Sequence, residues 1–187
     1  MRPADDLCAL LAHYAWIDAL LAQAPAALRT AAPAVSGWDA EHHVAHVALA
    51  NELVLRNLHS LAAGTGALVQ RGGEPIPEAH ALMASGVIPR GRAQSPRMVR
   101  PPERVDPGLL AQWLAEARAG YATLDPASIV ASEFKVPHQL LGPLDAVQWL
   151  RFGAVHTRHH LVIAREVLAA QGVAMPELRA PTASADC

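Results

Sequence analysis

Apolar residues recur along this chain at steps of three and four, the spacing of an α-helix with one buried face. The first such stretch runs from Asp5 to Arg29, and Pro25 interrupts it near its end. A second stretch follows Asp39, a favourable helix N-cap, and ends at Gly64. Alternating runs of β-branched and aromatic residues, typical of strands, are nearly absent. The pattern therefore predicts an all-α chain.

Two more long helices are predicted in the second half of the chain. Asp106 is a favourable N-cap for the third helix, because Pro107 takes the first helical position after it. The fourth helix begins at a D-x-x-Q capping box formed by Asp145 and Gln148, and Gly172 ends it. Four long helices are thus expected to pack together.

The second and third helices are joined by a long connection, residues 64–105, which holds six of the fifteen prolines and many glycines. Within it, "PEAHALMASG" predicts a short helix that begins at Pro77 and stops before Gly86. The stretch "PRGRAQSPRMVRPPERV" is expected to be extended and locally basic. A connection of this length in a compact domain usually has a functional role or is mobile.

Length and charge narrow the class of protein. A chain of 187 residues fits one domain, expected over residues 1–175, with a C-terminal tail at 176–187. The formal net charge of −2, without a basic helix face, argues against nucleic acid as a partner. The acidic N-terminus does not resemble a signal peptide, and no apolar run reaches membrane-spanning length. We therefore expect a cytoplasmic protein with no membrane partner.

Histidines are concentrated in two helical segments. The stretch "VHTRHH" at residues 155–160 lies inside the fourth helix, and a second cluster lies at residues 42–46, so six of the ten histidines fall in two short windows. In the fourth helix, His156 and His160 lie one turn apart on the apolar face, whereas His159 lies off it. That face is formed by Trp149, Phe152, His156, His160, Ile163 and Val167.

Two imidazoles in a core need a partner for their nitrogens, and a divalent metal ion is the simplest shared one. We expect His156 and His160 to be two ligands and His46 to be the third. Three neutral histidines with an open fourth position are typical of a catalytic zinc site. The alternative is a set of core imidazoles that bond to the backbone or to each other. His42, His43 and His159 are expected to be exposed or to support the ligands.

The histidine segments also carry a resemblance to a known family. "GWDAEHHVAHVAL" is similar to the Trp-Ser-x-x-Glu-x-x-x-His-Leu segment of the DinB/YfiT-like superfamily. "LGPLDAVQWLRFGAVHTRHHLVIARE" is similar to its Leu-Gly-Pro-Leu-Thr-x-x-Gln-Trp-Leu segment and the His-x-x-x-His that follows. The resemblance covers most of the chain, more loosely in the middle connection. It places His46, His156 and His160 at the three metal-binding histidines, whereas Asp145 replaces a usual Thr and His42 a usual Glu.

The resemblance implies an antiparallel four-helix bundle, often a homodimer, with a divalent metal at one end of the bundle core. Some members of the superfamily transfer low-molecular-weight thiols to small electrophiles, and others are described as metal-dependent hydrolases. The metal is expected to be zinc or nickel, with manganese or iron as alternatives.

Two classes of function stay open at this point. One is an enzyme in which the metal activates a thiol or a water, and the other is a non-catalytic protein that binds a metal or small molecule, for example in a stress response. The sequence assigns no catalytic residue: Glu41 and Glu133 are candidates for a general base that cannot be placed. The arginines of the middle connection are either solvated or hold an anionic cosubstrate near the metal.

Overall fold

The computed structural model describes residues 2–23, 26–91 and 94–178, and these residues are mostly helical. Four long helices account for about half of the described residues, as the apolar periodicity predicts, and a fifth, short helix lies in the middle connection. The five helices are α1 (Pro3–Gln23), α2 (Ala40–Ala63), α3 (Pro77–Ser85), α4 (Pro107–Ala122) and α5 (Ala146–Ala169).

The chain also contains a small sheet, so the expectation of an all-α fold is wrong in this respect. Three short antiparallel strands pair in the order β1-β2-β3. Pro137 lies inside the central strand, but β1 pairs only with the first two residues of that strand, so Pro137 has only one neighbouring strand. Strands this short leave no alternating pattern to read. They are β1 (Gln70–Arg71), β2 (Phe134–His138) and β3 (Gly142–Leu144).

The predicted helix starts are confirmed by their hydrogen bonds. The Asp39 carboxylate accepts from the backbone N–H of His42, and Asp106 accepts from Leu109. Asp145 and Gln148 form the predicted reciprocal capping box. These caps fix where α2, α4 and α5 begin.

The predicted helix ends are less accurate. Gly64 ends α2 in the left-handed conformation, with φ of 65°, as predicted. By contrast, α1 ends at Gln23 rather than Arg29, and a separate 3-10 turn follows at Ala27–Arg29. Pro25, which was expected to interrupt the helix, lies outside the described residues. The last helix ends at Ala169, three residues before Gly172.

The middle connection is ordered by local structure and by contacts with the helices. Its predicted short helix is confirmed as α3, which begins at Pro77 and is ended by Gly86 with φ of 66°. Further along, a 3-10 turn at Arg97–Val99 packs against α2, and Val99 is buried. The connection therefore forms a wall of the molecule rather than a free loop.

One buried asparagine links all four long helices. Asn51 of α2 is fully buried, and its amide N–H groups donate to the hydroxyls of Tyr14 in α1 (2.9 Å) and Thr157 in α5 (3.0 Å). The hydroxyl of Tyr121 in α4 donates to the Asn51 carbonyl oxygen (3.1 Å). Because buried polar groups are costly without partners, these bonds fix the relative positions of the helices. In the rest of the core, α2 packs on α4 and α5, and α1 packs on the same two helices.

The hairpin of β2 and β3 is fastened to the start of α5. The indole N–H of Trp149 donates to the backbone oxygen of Val136 (3.0 Å), and Lys135 forms a largely buried ion pair with Asp145 (2.9 Å). Gly142 turns the hairpin with φ of 77°, and a Cβ there would lie 3.3 Å from a backbone oxygen of the middle connection. The hairpin is thus held beside the helix that carries two of the candidate ligands.

Among the helices that the structure describes, none has both the length and the apolar character required to cross a membrane. Of the predicted C-terminal tail, residues 176–178 follow α5 without regular structure, and residues 179–187 lie outside the described ranges.

Replacing Asn51 by Leu should destabilise the fold by about 3 kcal/mol, because three buried hydroxyls lose their partner in one substitution. Urea unfolding of N51L beside the wild type measures this difference. The matched control is N57L on the same helix, because Asn57 makes no hydrogen bond to any described residue; it should lose less than about 1 kcal/mol. Equal losses in the two variants would contradict the role given to Asn51.

Candidate metal centre

The three histidines that the sequence singles out lie together in the structure. His46 comes from α2, and His156 and His160 come from α5. One ring nitrogen from each lies within 4.8 Å of the other two. The nitrogens Nε2 of His46 and His156 are 3.2 Å apart. This group can hold a metal ion.

The helical spacing on the apolar face of α5 explains why two of the three histidines lie together. His156 and His160 are one helical turn apart on the face that packs towards α2, and their ring centroids are 4.6 Å apart. Close packing of the two helices brings His46 to them: Gly153 leaves so little space that an added Cβ would lie 3.3 Å from Val54. A larger residue at 153, three residues before His156, would require the Val54 side chain to shift by a few tenths of an ångström.

His46 has one nitrogen committed to the backbone. Its Nδ1 lies 2.8 Å from the carbonyl oxygen of Val99, which can only accept, so Nδ1 carries the proton. In the neutral ring, Nε2 then has a free lone pair, and this is the nitrogen that faces His156. The middle connection therefore selects the tautomer that a metal ligand needs.

His160 is oriented by a chain of polar groups. Its Nδ1 lies 3.0 Å from Nδ1 of His43, and Nε2 of His43 lies 2.9 Å from the hydroxyl of Ser36. That hydroxyl also accepts from the backbone N–H of Trp38. If His160 donates to His43 and His43 donates to Ser36, both ring N–H groups have an acceptor and Nε2 of His160 is left free. This arrangement makes His43 a supporting residue, one of the two roles expected from sequence.

Burial keeps the three rings neutral. It lowers the pKa of His46, and it lowers the pKa of both His156 and His160 well below the ordinary value, with a smaller contribution from the neighbouring histidines. His43 behaves in the same way, and its pKa falls to about 3. Unprotonated nitrogens are therefore available at neutral pH, which metal coordination requires.

One of the three nitrogen–nitrogen separations matches that of a tetrahedral zinc site. Zinc with histidine nitrogens at about 2.0–2.1 Å places neighbouring ligand atoms about 3.3 Å apart, and the His46–His156 separation of 3.2 Å is close to this. The same distance also suits a hydrogen bond from His156 to His46, which is the alternative of core imidazoles bonded to each other. That alternative leaves Nε2 of His160 without a role.

The candidate ligands form one end of a chamber of about 360 Å³. Its walls come from α2, α5, the middle connection and the hairpin of β2 and β3. Most lining side chains are apolar, and no Asp, Glu, Lys or Arg is present among the described lining residues. The chamber is therefore suited to a small molecule that reaches the histidines.

A second, more open groove shares His159 and His160 with the chamber, and Trp38 and two arginines of the middle connection also line it. Arg90 already forms a bidentate ion pair with Glu166 (2.7 and 2.9 Å), whereas Arg100 donates only to the backbone oxygen of Ser95. Trp38 packs against the ring of His46 at a centroid distance of 5.2 Å. Arg90 is thus neutralised by Glu166, and Arg100 carries the positive charge at this groove.

Other candidates lie apart from the three nitrogens. His42 bonds to Asp39 and to the backbone of residue 103 at the start of α2. Glu41 pairs with Arg29, and Glu133 pairs with Arg71 on the surface, so neither carboxylate lines the chamber. His159 is half-buried next to His160 and lines both cavities.

Several residues of the site were missed from the sequence. Val99 and Ser36 act through a backbone oxygen and a hydroxyl, which have no distinctive spacing. Asn57 and His138 line the chamber. Asn57 does continue the stripe of His46, Ala50 and Leu53 along α2, and this spacing could have identified it.

The chain was compared with known protein families, curated proteins and solved structures, and none of the three comparisons found a match. The resemblance to the DinB/YfiT-like superfamily thus stays a prediction.

Replacing His43 by Phe should weaken zinc binding by about 10- to 100-fold, because His160 loses the partner that fixes its ring and tautomer. A competition titration with a chromophoric chelator measures the affinity. H42F is the matched control: the neighbouring histidine is tied to Asp39, away from the site, and its loss should leave the affinity unchanged. Unchanged affinity in H43F would show that His160 needs no such support.

Proposed function

We propose that this chain is a metal-dependent enzyme of the DinB/YfiT-like type that transfers a low-molecular-weight thiol to a small electrophile. The observation that carries the proposal is the position of the three histidine nitrogens. They lie within 4.8 Å of one another at the wall of a chamber. No fourth His, Cys, Asp or Glu of the described residues joins this group. Three protein ligands beside a cavity favour a catalytic over a structural metal.

The ligands are His46, His156 and His160, and the donor set suits zinc or nickel, with manganese or iron as alternatives. A divalent ion at this position would lower the pKa of a thiol or a water that binds beside the histidines. Val99 and His43 hold two of the three rings in the required orientation. These two contacts support the proposal because they orient ring nitrogens for metal binding.

The composition of the chamber favours a thiol over a water as nucleophile. Zinc metalloproteases of the H-E-x-x-H type use a glutamate as general base for the attacking water, and no described Asp or Glu lines the chamber. His159 is the side chain placed to accept the thiol proton, because its ring lies 5.1 Å from that of His160 and lines the chamber. The S–H bond breaks and the proton passes to His159. The sulfur forms a bond to one atom of an electrophilic double bond, the π bond of that group breaks, and its other atom takes up the proton from His159.

The packing of four long helices around one core supports the bundle architecture that the resemblance implies. The homodimer is part of the same proposal, and light scattering of the purified protein determines the oligomeric state. The groove with Arg90 and Arg100 lies next to His160, where it would receive an anionic thiol.

Metal content tests the proposal. Protein purified without an affinity tag should contain close to one equivalent of metal by elemental analysis, and the H156A/H160A variant should contain none. The control H42A should retain its metal, because His42 lies outside the group. The loaded protein should accelerate thiol consumption by an electrophile at least about tenfold over the double variant.

Protein that takes up none of zinc, nickel or manganese would contradict the proposal and leave the histidines as hydrogen-bonded core residues. Bound metal without any acceleration over a panel of thiols and electrophiles would instead support the non-catalytic binding protein.

A further inference from the structure

The chamber beside the histidines is long and follows the helices. On α2, His46, Ala50, Leu53 and Asn57 line it at steps of four, three and four, which is one helix face. Eleven residues of α-helix extend over about 16 Å. The chamber therefore reaches three helical turns away from the candidate ligands.

The opposite wall has the same length and runs antiparallel. Trp149, Phe152, His156 and His160 of α5 line it, again over eleven residues. Asn51 contacts Thr157, and Val54 lies close to Gly153, so residue numbers rise along α2 as they fall along α5. The histidines consequently lie at one end, and Asn57 lies towards the end that holds Trp149.

The charge and polarity of the lining restrict what can fill the chamber. No acidic residue, lysine or arginine lines it among the described residues, so a charged group there would lose its hydration without compensation. Three of its lining side chains are large, apolar and exposed, namely Leu68 (61%), Met98 (67%) and Leu140 (48%). They come from three separate segments. Exposed apolar side chains around a cavity favour an apolar occupant.

One polar group in the lining has no partner. Asn57 is 8% exposed, and no group of the described residues hydrogen-bonds its amide. The amide atoms of Asn57 keep some accessible surface, unlike those of Asn51, whose amide is fully used inside the core. The Asn57 side chain therefore offers both a donor and an acceptor to a ligand in the chamber.

A second donor comes from the hairpin. His138 accepts the backbone N–H of Leu140 at Nδ1 (3.2 Å), so the neutral ring carries its proton on Nε2. The ring packs edge-on against Phe152, at a centroid distance of 4.5 Å, and lines the chamber. No described residue accepts from its Nε2.

From these features we infer that the chamber binds an uncharged, elongated and largely apolar small molecule. Its polar group hydrogen-bonds Asn57, and its other end reaches the three histidines. A carbonyl compound is the simplest example, because both Asn57 and His138 offer donors. The inference rests on the proposed function in one respect: this molecule would be the electrophile that receives the thiol.

Nile red, an uncharged and elongated dye with one ring carbonyl, is a suitable probe, and its fluorescence reports an apolar environment. We expect the wild type to bind it with or without zinc. A50F and L53W should each bind at least tenfold more weakly, because both fill the chamber. N57L should bind about fivefold more weakly, with bluer dye emission, because the carbonyl loses a hydrogen bond.

Two comparisons make the test specific. H59L adds the same apolar side chain on the exposed face of α2 and should bind Nile red like the wild type. The sulfonated dye 1-anilinonaphthalene-8-sulfonate should bind at least tenfold more weakly than Nile red. Equal or tighter binding of the anionic dye would overturn the assignment of an uncharged ligand. Thermal unfolding checks that each variant is folded. Two chamber-filling variants, A50F and L53W, are used so that dye binding can be measured even if one of them does not fold.

Absence of Nile red binding by the wild type, or unchanged binding by a folded A50F or L53W, would overturn the inference. Because dye binding needs no metal, its outcome is separate from that of the proposed function. Dye binding that is blocked by A50F in a protein that takes up no metal would leave the chamber assignment intact and remove the enzyme. Metal uptake without dye binding would leave the metal site intact and remove the chamber assignment.

Discussion

The hydrogen bonds of Asn51 hold the arrangement on which the rest of the molecule depends. A single amide joins hydroxyls from three other helices, and it is fully buried, so no water can replace a lost partner. Thr157, its partner on α5, directly follows His156. The same contact that fixes the register of α2 against α5 therefore decides whether His46 meets the two histidines of α5. A slip of one helical turn would move them apart by about 5.4 Å.

The site is completed by segments that look irregular in the sequence. The middle connection supplies the Val99 oxygen that fixes the tautomer of His46, and it closes one wall of the chamber. Ser36 and His43 provide the corresponding support for His160. Two of the three ligand rings are thus held by groups outside the ligand set, which is the arrangement that metal sites in proteins commonly require. The long connection is explained by this role, since it must reach from the far end of α2 back to His46.

The sequence was sufficient for the elements that repeat or that carry side-chain caps. The helix starts at Asp39, Asp106 and Asp145 were predictable because each cap forms within three residues along the chain. The pairing of His156 and His160 followed from helical spacing. Their meeting with His46 is a long-range contact, and it could only be expected from residue type and resemblance.

Other features could not be read because they depend on tertiary contacts. Strand β1 pairs with a segment more than sixty residues away, and the local sequence of the β2–β3 hairpin includes prolines that argue against strands. The role of His43 depends on a ring from another helix, and the isolation of Asn57 depends on which groups fail to approach it. The end of α1 was misplaced because apolar spacing continues past the residue where the helix stops.

The central claim is that His46, His156 and His160 bind one metal ion and leave an open position towards the chamber. A crystal grown with zinc, with anomalous scattering measured on both sides of the zinc absorption edge, locates the ion directly. The account predicts one zinc at about 2.0–2.1 Å from a nitrogen of each histidine, with the fourth position facing the chamber and free of protein ligands. A zinc bound elsewhere, or one closed by a fourth protein ligand, would contradict it.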